Sequence, residues 1–180
     1  MPVDALGNQV VALANQNESV RSTYHLAGLV TPAAAPTDVI TIQGSGTKLI
    51  RVVSVKIYIE ATAGGIADIL LILRSTATTG GTSSAPTIGR TDPDAGNPTA
   101  AVLVWTANPA ALGTLTANIG AAKVGFVSSG TAVPALFDYT QHSDQAILLR
   151  DNDDFLAING NGDTLLAGEV WAYDITWTEE

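Results

Sequence analysis

The chain has 180 residues, 46% hydrophobic and only 14% charged, where an ordinary soluble domain carries roughly 25% charge. That length supports one domain with a real core, and the composition excludes both a disordered chain and a coiled coil. Eight basic against 17 acidic residues leave a net charge of −9, which phosphate backbones repel, and the lack of cysteine excludes disulfides, thiolate chemistry and Cys-based zinc sites.

The 27 alanines, 21 threonines and 17 glycines favour small residues and β-formers. Apolar runs are short, Ile69-Leu70-Leu71-Ile72-Leu73 being typical, far below a membrane span. Met1-Pro2-Val3-Asp4 has neither the basic nor the apolar region of a secretion signal. Neither nucleic acid nor membrane is expected as a partner.

In chain order, residues 1–20 read as an N-terminal arm ahead of a single β-sandwich domain at 21–180. In the arm Leu6, Val10 and Leu13 recur at helical spacing, diluted by Gly7, Asn8, Asn15 and Asn17, which gives an arm or a short helix. The chain then turns to β patterning. A first strand holds Tyr24 and Leu26 and ends at Pro32–Pro36; Val39–Ile42 forms a second, followed by the turn Gly44-Ser45-Gly46. Leu49–Glu60 alternates most clearly. Its reading puts Arg51, Val53, Val55, Ile57 and Ile59 on one face, with Val52, Ser54, Lys56, Tyr58 and Glu60 on the other.

Ala67–Arg74 is apolar on both faces around Ile69, Leu71 and Leu73, as expected of a strand covered by a core and by a partner. Residues 75–99 hold almost nothing but Thr, Ser, Gly, Pro and Asp, a long structureless run of the kind that is usually functional or interfacial. Thr99–Thr106 resumes strand character, and Ala110–Thr116 reads as a helical turn or a strand. Lys123–Ser128, Gln145–Asp151, Asp154–Asn159 and Gly168–Thr178 complete roughly nine short strands. With no credible long helix, the expected class is all-β, an antiparallel jelly-roll-like sandwich of about 8–9 strands.

Three groups of residues bear on chemistry. His142-Ser143-Asp144 has the residue types of a triad, but adjacent side chains cannot form the nucleophile–base–orienter line, so a polar turn is the better reading. The runs Asp151-Asn152-Asp153-Asp154 and Asn159-Gly160-Asn161-Gly162-Asp163 offer hard oxygens, making Asp151, Asp153, Asp154 and Asp163 weak metal candidates. The second run departs from a calcium loop at Thr164 and Val170, so two tight hairpin turns are expected, with no metal and no cofactor. In the last strand Trp171, Tyr173, Ile175 and Trp177 share a face that is core or subunit interface; a glycan-stacking platform is the alternative. The interface candidates are Leu6, Val10, Leu13, Ile69, Leu71, Leu73, Trp171, Tyr173 and Trp177.

Four phrases carry a resemblance: Leu73-Arg74-Ser75-Thr76-Ala77-Thr78-Thr79-Gly80-Gly81-Thr82-Ser83, then Thr106-Ala107-Asn108-Pro109-Ala110-Ala111-Leu112-Gly113, Gln145-Ala146-Ile147-Leu148-Leu149-Arg150, and Ile175-Thr176-Trp177-Thr178-Glu179-Glu180. In this order they resemble segments of small virion structural proteins of tailed bacteriophages, of the capsid-decoration and head-fibre type, from about residue 22 to the end. The resemblance implies a non-enzymatic jelly-roll protein made in the host cytoplasm and placed on the capsid surface. It further implies a homotrimer that partners the major capsid protein or another virion protein and brings no catalytic residues. A receptor- or glycan-binding fibre head and a tail or baseplate component are the alternatives.

Overall fold

A computed structural model describes residues 21–126, 134–139 and 146–180. These residues form strands and connecting loops with no helix, in two antiparallel sheets. In chain order the strands are β1 (Ser22–Val30), β2 (Asp38–Gln43), β3 (Ile50–Glu60), β4 (Gly65–Arg74), β5 (Thr82–Ser84), β6 (Gly89–Arg90), β7 (Ala101–Ala107), β8 (Leu115–Phe126), β9 (Ala135–Asp138), β10 (Ile147–Leu149), β11 (Phe155–Asn159) and β12 (Val170–Glu179).

The first sheet runs β10-β3-β12-β1-β6, with β9 beside β10 on the same edge of β3; the second runs β5-β7-β2-β11-β4-β8. Pairing is nested: β1 with β12, β2 with β11, β3 with β10 and β4 with β8. A ribbon paired this way and rolled up places its strands in two four-stranded sheets, which is a jelly roll. The expected fold class is therefore what the chain adopts. Twelve described strands exceed the expected number because β5 and β6 lie within residues 75–99, expected to be structureless, and because β9 was not foreseen; together with the expected β7, β5 and β6 form an insertion between β4 and β8. This insertion extends both sheets and leaves strands of two and three residues at their ends, short enough to blunt the edges.

Both inner faces meet in one core. Tyr24, Leu26, Val52, Val55, Ile57, Trp171, Ile175 and Trp177 come from the first sheet, and Ile40, Ile42, Ile69, Leu71, Val104, Leu156 and Ile158 from the second. Tyr24 stacks on Trp177 at 5.9 Å between ring centroids, an offset-stacking distance.

The alternation expected for β3 holds only in its second half. Thr176 of β12 pairs with Ser54 and Trp177 with Val52, so Val53 is an extra residue in the ladder. Such a bulge reverses the inward face. Ile50 and Val52 point in before it, and Val55, Ile57 and Ile59 after it; Arg51 and Val53 do not share their face. The expected turn or strand at Ala110–Thr116 is a loop leading into β8, which begins earlier than the expected Lys123.

Candidate functional site

The first sheet presents a broad outer face. Period two puts Leu29, Ala172 and Tyr58 in one row across β1, β12 and β3, and Ala27, Asp174, Lys56 and Leu136 in the next. Leu29 is 73% exposed, Tyr58 40% and Leu136 53%. Lys56 and Asp174 lie 3.9 Å apart between them. Further along, the Thr176 hydroxyl and His25 Nδ1 are 3.0 Å apart. Beside them the Ser54 hydroxyl is buried without a hydrogen-bond partner. At the far end Arg21 and Arg51 both hold the Glu180 carboxylate.

The outer face of the second sheet is different, because the chain covers part of it. Residues 75–79 run antiparallel to 111–114: Thr79 and Ala111 exchange backbone hydrogen bonds, and the Ser75 amide donates to the Thr114 carbonyl. Ala77 and Thr78 lie beside Thr41, Leu103 and Phe155 around a cavity of about 150 Å3. Gly113 permits the approach, since a Cβ there would fall 1.9 Å from the Thr76 carbonyl oxygen.

Beneath this cover lies a buried polar brace. The Asp38 carboxylate accepts two bonds from Arg74, through Nε at 2.9 Å and Nη2 at 2.8 Å. It also accepts from the Thr78 hydroxyl at 2.7 Å and the Asn159 amide at 2.7 Å. Arg74 Nη1 donates to the Gly113 carbonyl, and the Gly113 amide donates to the Thr78 hydroxyl. The brace thus ties β2, β4 and β11 to Thr78 and Gly113 of the two covering segments. Beside it an open groove of about 450 Å3 has Leu70 and Ile72 on β4, Leu112 and Leu115 at its lip, and Thr37, Asn118 and Asn161 as polar lining.

Two further buried carboxylates hold backbone. Glu179 accepts from the Thr99 and Ala100 amides, the Thr99 hydroxyl and the Trp177 indole. Glu169 accepts from the Leu166 amide and the Trp171 indole. Each end of β12 thus has a tryptophan whose N–H is answered by a glutamate two residues away, which lets a large aromatic be buried without an orphaned donor.

The residues expected to meet a partner are spent inside the chain. Ile69, Leu71, Trp171, Tyr173 and Trp177 are buried in its own core, and Leu73 packs against that core. Once both sheets face each other, these side chains satisfy one another, and it is Leu70, Ile72 and the neighbours of the aromatic row that face outward. Leu6, Val10, Leu13 and the run His142-Ser143-Asp144 lie outside the described residues.

The acidic runs form turns in which the carboxylates of Asp151, Asp154 and Asp163 accept from backbone amides no more than four residues away. The Asp153 amide donates to Asp151 Oδ1, the Arg150 amide to Asp154 Oδ2 and the Thr164 amide to Asp163 Oδ1. Asn161 and Gly162 take φ of 57° and 68°, the left-handed values expected of Asn-Gly in a tight turn. These turns are not hairpins, however: the first carries the chain from β10 in one sheet to β11 in the other, and the second leads away from β11 toward β12. Among the described residues no three acidic or histidine side chains converge as ligands of one ion.

Sequence reasoning missed Leu29, Tyr58 and Leu136, and it missed Asp38 and Arg74 as a pair. Tyr58 was visible as a large aromatic on the polar side of an alternating strand. No protein-family model matches the chain, and no curated protein sequence matches it.

Proposed function

We propose that this chain is a non-enzymatic virion structural protein of a tailed bacteriophage, a capsid decoration protein. In this reading it binds the outside of the shell as a homotrimer and holds the shell against the pressure of packaged DNA. The observation that carries the reading is where the phage-like phrases meet. Leu73–Ser83 and Thr106–Gly113 come together over the Asp38–Arg74 brace, while Ile147–Leu149 and Ile175–Glu179 flank β3 from either side. Phrases that converge to hold a jelly roll together support a likeness of architecture more than one of reaction. The buried carboxylates support the same view, since Asp38, Glu169 and Glu179 are all bonded to groups of the fold itself.

One observation favours a second reading, a receptor- or glycan-binding fibre head. The groove beside Leu70 and Ile72 combines an apolar floor with amide and hydroxyl groups, the usual make-up of a small-ligand site. Quantitative mass spectrometry of purified virions separates the two. Decoration requires a copy number comparable with that of the shell protein, and a number in the range of fibres or tail parts overturns it.

A further inference from the structure

We infer that the open groove on the outer face of the second sheet binds a neutral sugar carrying an acetamido group. The inference deepens the second reading, a receptor- or glycan-binding fibre head, and rests on it. The ligand class follows from which groups of the groove are still free to bond.

Most of the polar lining is spent inside the chain. Arg74, the one charged residue of the lining, bonds Asp38 through two nitrogens and the Gly113 carbonyl through the third. Asn159 donates to Asp38 and accepts from the Asn161 backbone amide. Thr37 bonds Asn108 through both its amide and its hydroxyl. Two side chains keep capacity. Asn118, opposite Ile72 in the β8–β4 ladder, has no hydrogen-bond partner among the described residues. Asn161 donates from its side chain to Asp68 and keeps its side-chain carbonyl open. An amide side chain both donates and accepts, so this pair complements another amide and offers nothing to an ion. An acidic ligand would meet no free cation here, on a chain of net charge −9.

The apolar lining narrows the class. Leu70 and Ile72 make the floor, and Leu112 and Leu115 stand at the lip, 43% and 57% exposed. All four are aliphatic. The groove has no aromatic face on which a bare sugar ring could stack, and branched aliphatic side chains suit a methyl group instead. An acetamido substituent brings a methyl, an N–H and a C=O together, while the hydroxyls of its ring stay toward water at the open mouth. A peptide offers the same amide but repeats it at every residue, and only two free partners wait for it. The volume of about 450 Å3 is that of a small-ligand site.

Nuclear magnetic resonance titration of the full chain with N,N′-diacetylchitobiose tests this. Cellobiose, with hydroxyls in place of the acetamido groups, is the matched probe. Saturable shifts of the Asn118 and Asn161 side-chain amide signals are expected with the acetamido sugar. Cellobiose should bind about tenfold more weakly or not at all, having lost a hydrogen bond and a buried methyl. Asn118→Ala should weaken binding of the acetamido sugar by about tenfold at an unchanged melting temperature, since its amide holds nothing in the fold. Leu136→Asp, on the first sheet, should leave binding unchanged. Absence of saturable shifts, equal affinity for cellobiose or for an N-acetylated alanine dipeptide, or an Asn118→Ala variant that binds like wild type overturns the assignment. The failures are separable: copy number in virions decides the fibre-head reading, whereas these outcomes remove the sugar and leave that reading standing.

Discussion

Asp38 and Arg74 show what a buried charge does in this chain. Both are almost fully buried, and their bidentate contact is completed by Thr78, Asn159 and the Gly113 carbonyl. Breaking a buried pair strands the remaining charge, which costs about 3–5 kcal/mol. Arg74→Met is expected to lose stability in that range in urea unfolding. Ser54 is the opposite case: its buried hydroxyl has no partner, so Ser54→Ala removes a desolvated group and should be neutral or stabilising by about 1 kcal/mol. A third residue-scale prediction concerns pH. The Lys123 ammonium, 2.5 Å from Asp68, together with the Asn161 amide holds the Asp68 carboxyl below its ordinary 3.8. The same contact raises Lys123 above its ordinary 10.5. A lowered acid stabilises the fold above its unfolded pKa and stops doing so as pH falls through the folded value. Wild type should therefore out-melt Asp68→Asn at neutral pH, and the gap should close on acidification below 3.8. It should also narrow in high salt, because the lysine is exposed. A gap that persists in acid would assign the difference to Asn161 packing instead.

At the scale of elements, β12 was legible because Trp171, Tyr173, Ile175 and Trp177 repeat with period two and all face the core. The first half of β3 was misread because a single bulged residue, Val53, reverses the pattern without any mark in composition. The strand β8 was only partly seen, since Ala117, Gly120, Ala121 and Ala122 carry no large side chain to show which face is buried. It forms because its partner β4 is strongly apolar, a tertiary effect that local propensity does not encode. Residues 75–99 read as structureless, and what escaped was their partner: Ser75–Thr79 gains order by pairing with 111–114, far away in sequence. That pairing is fragile at one point. Gly113→Ala places a methyl group against the Thr76 backbone, so the cover has to lift. The variant should lose more than about 1 kcal/mol and become more readily cut by protease within residues 75–81, while the core strands stay protected in hydrogen exchange. Unchanged proteolysis would show that the cover tolerates the added methyl.

At the scale of the whole molecule, the jelly roll was readable from strand count, small residues and the absence of helical periodicity. The aromatic row, read as core or subunit interface, lies in the core together with Ile69 and Leu71, while Leu70 and Ile72 on the other face of the doubly apolar strand line the open groove. Among the described residues the large apolar side chains left exposed are Leu29, Tyr58, Ile66, Leu112, Leu115 and Leu136. Deleting residues 1–20 belongs to this scale. The described fold begins at β1, whose ladder with β12 starts at Ser22, so the truncated chain should melt within a few degrees of the full one. The arm carries the interface candidates Leu6, Val10 and Leu13, so in the decoration reading its loss should abolish binding to shells.

Attachment to a phage shell, the function proposed for this chain, is tested most directly by co-sedimentation with purified shells stripped of accessory proteins. Saturable binding by the full chain is expected, at a stoichiometry set by the shell lattice, with bound shells surviving a higher temperature than bare ones. Full-length trimer that stays in the supernatant at concentrations well above those at which it assembles would contradict it.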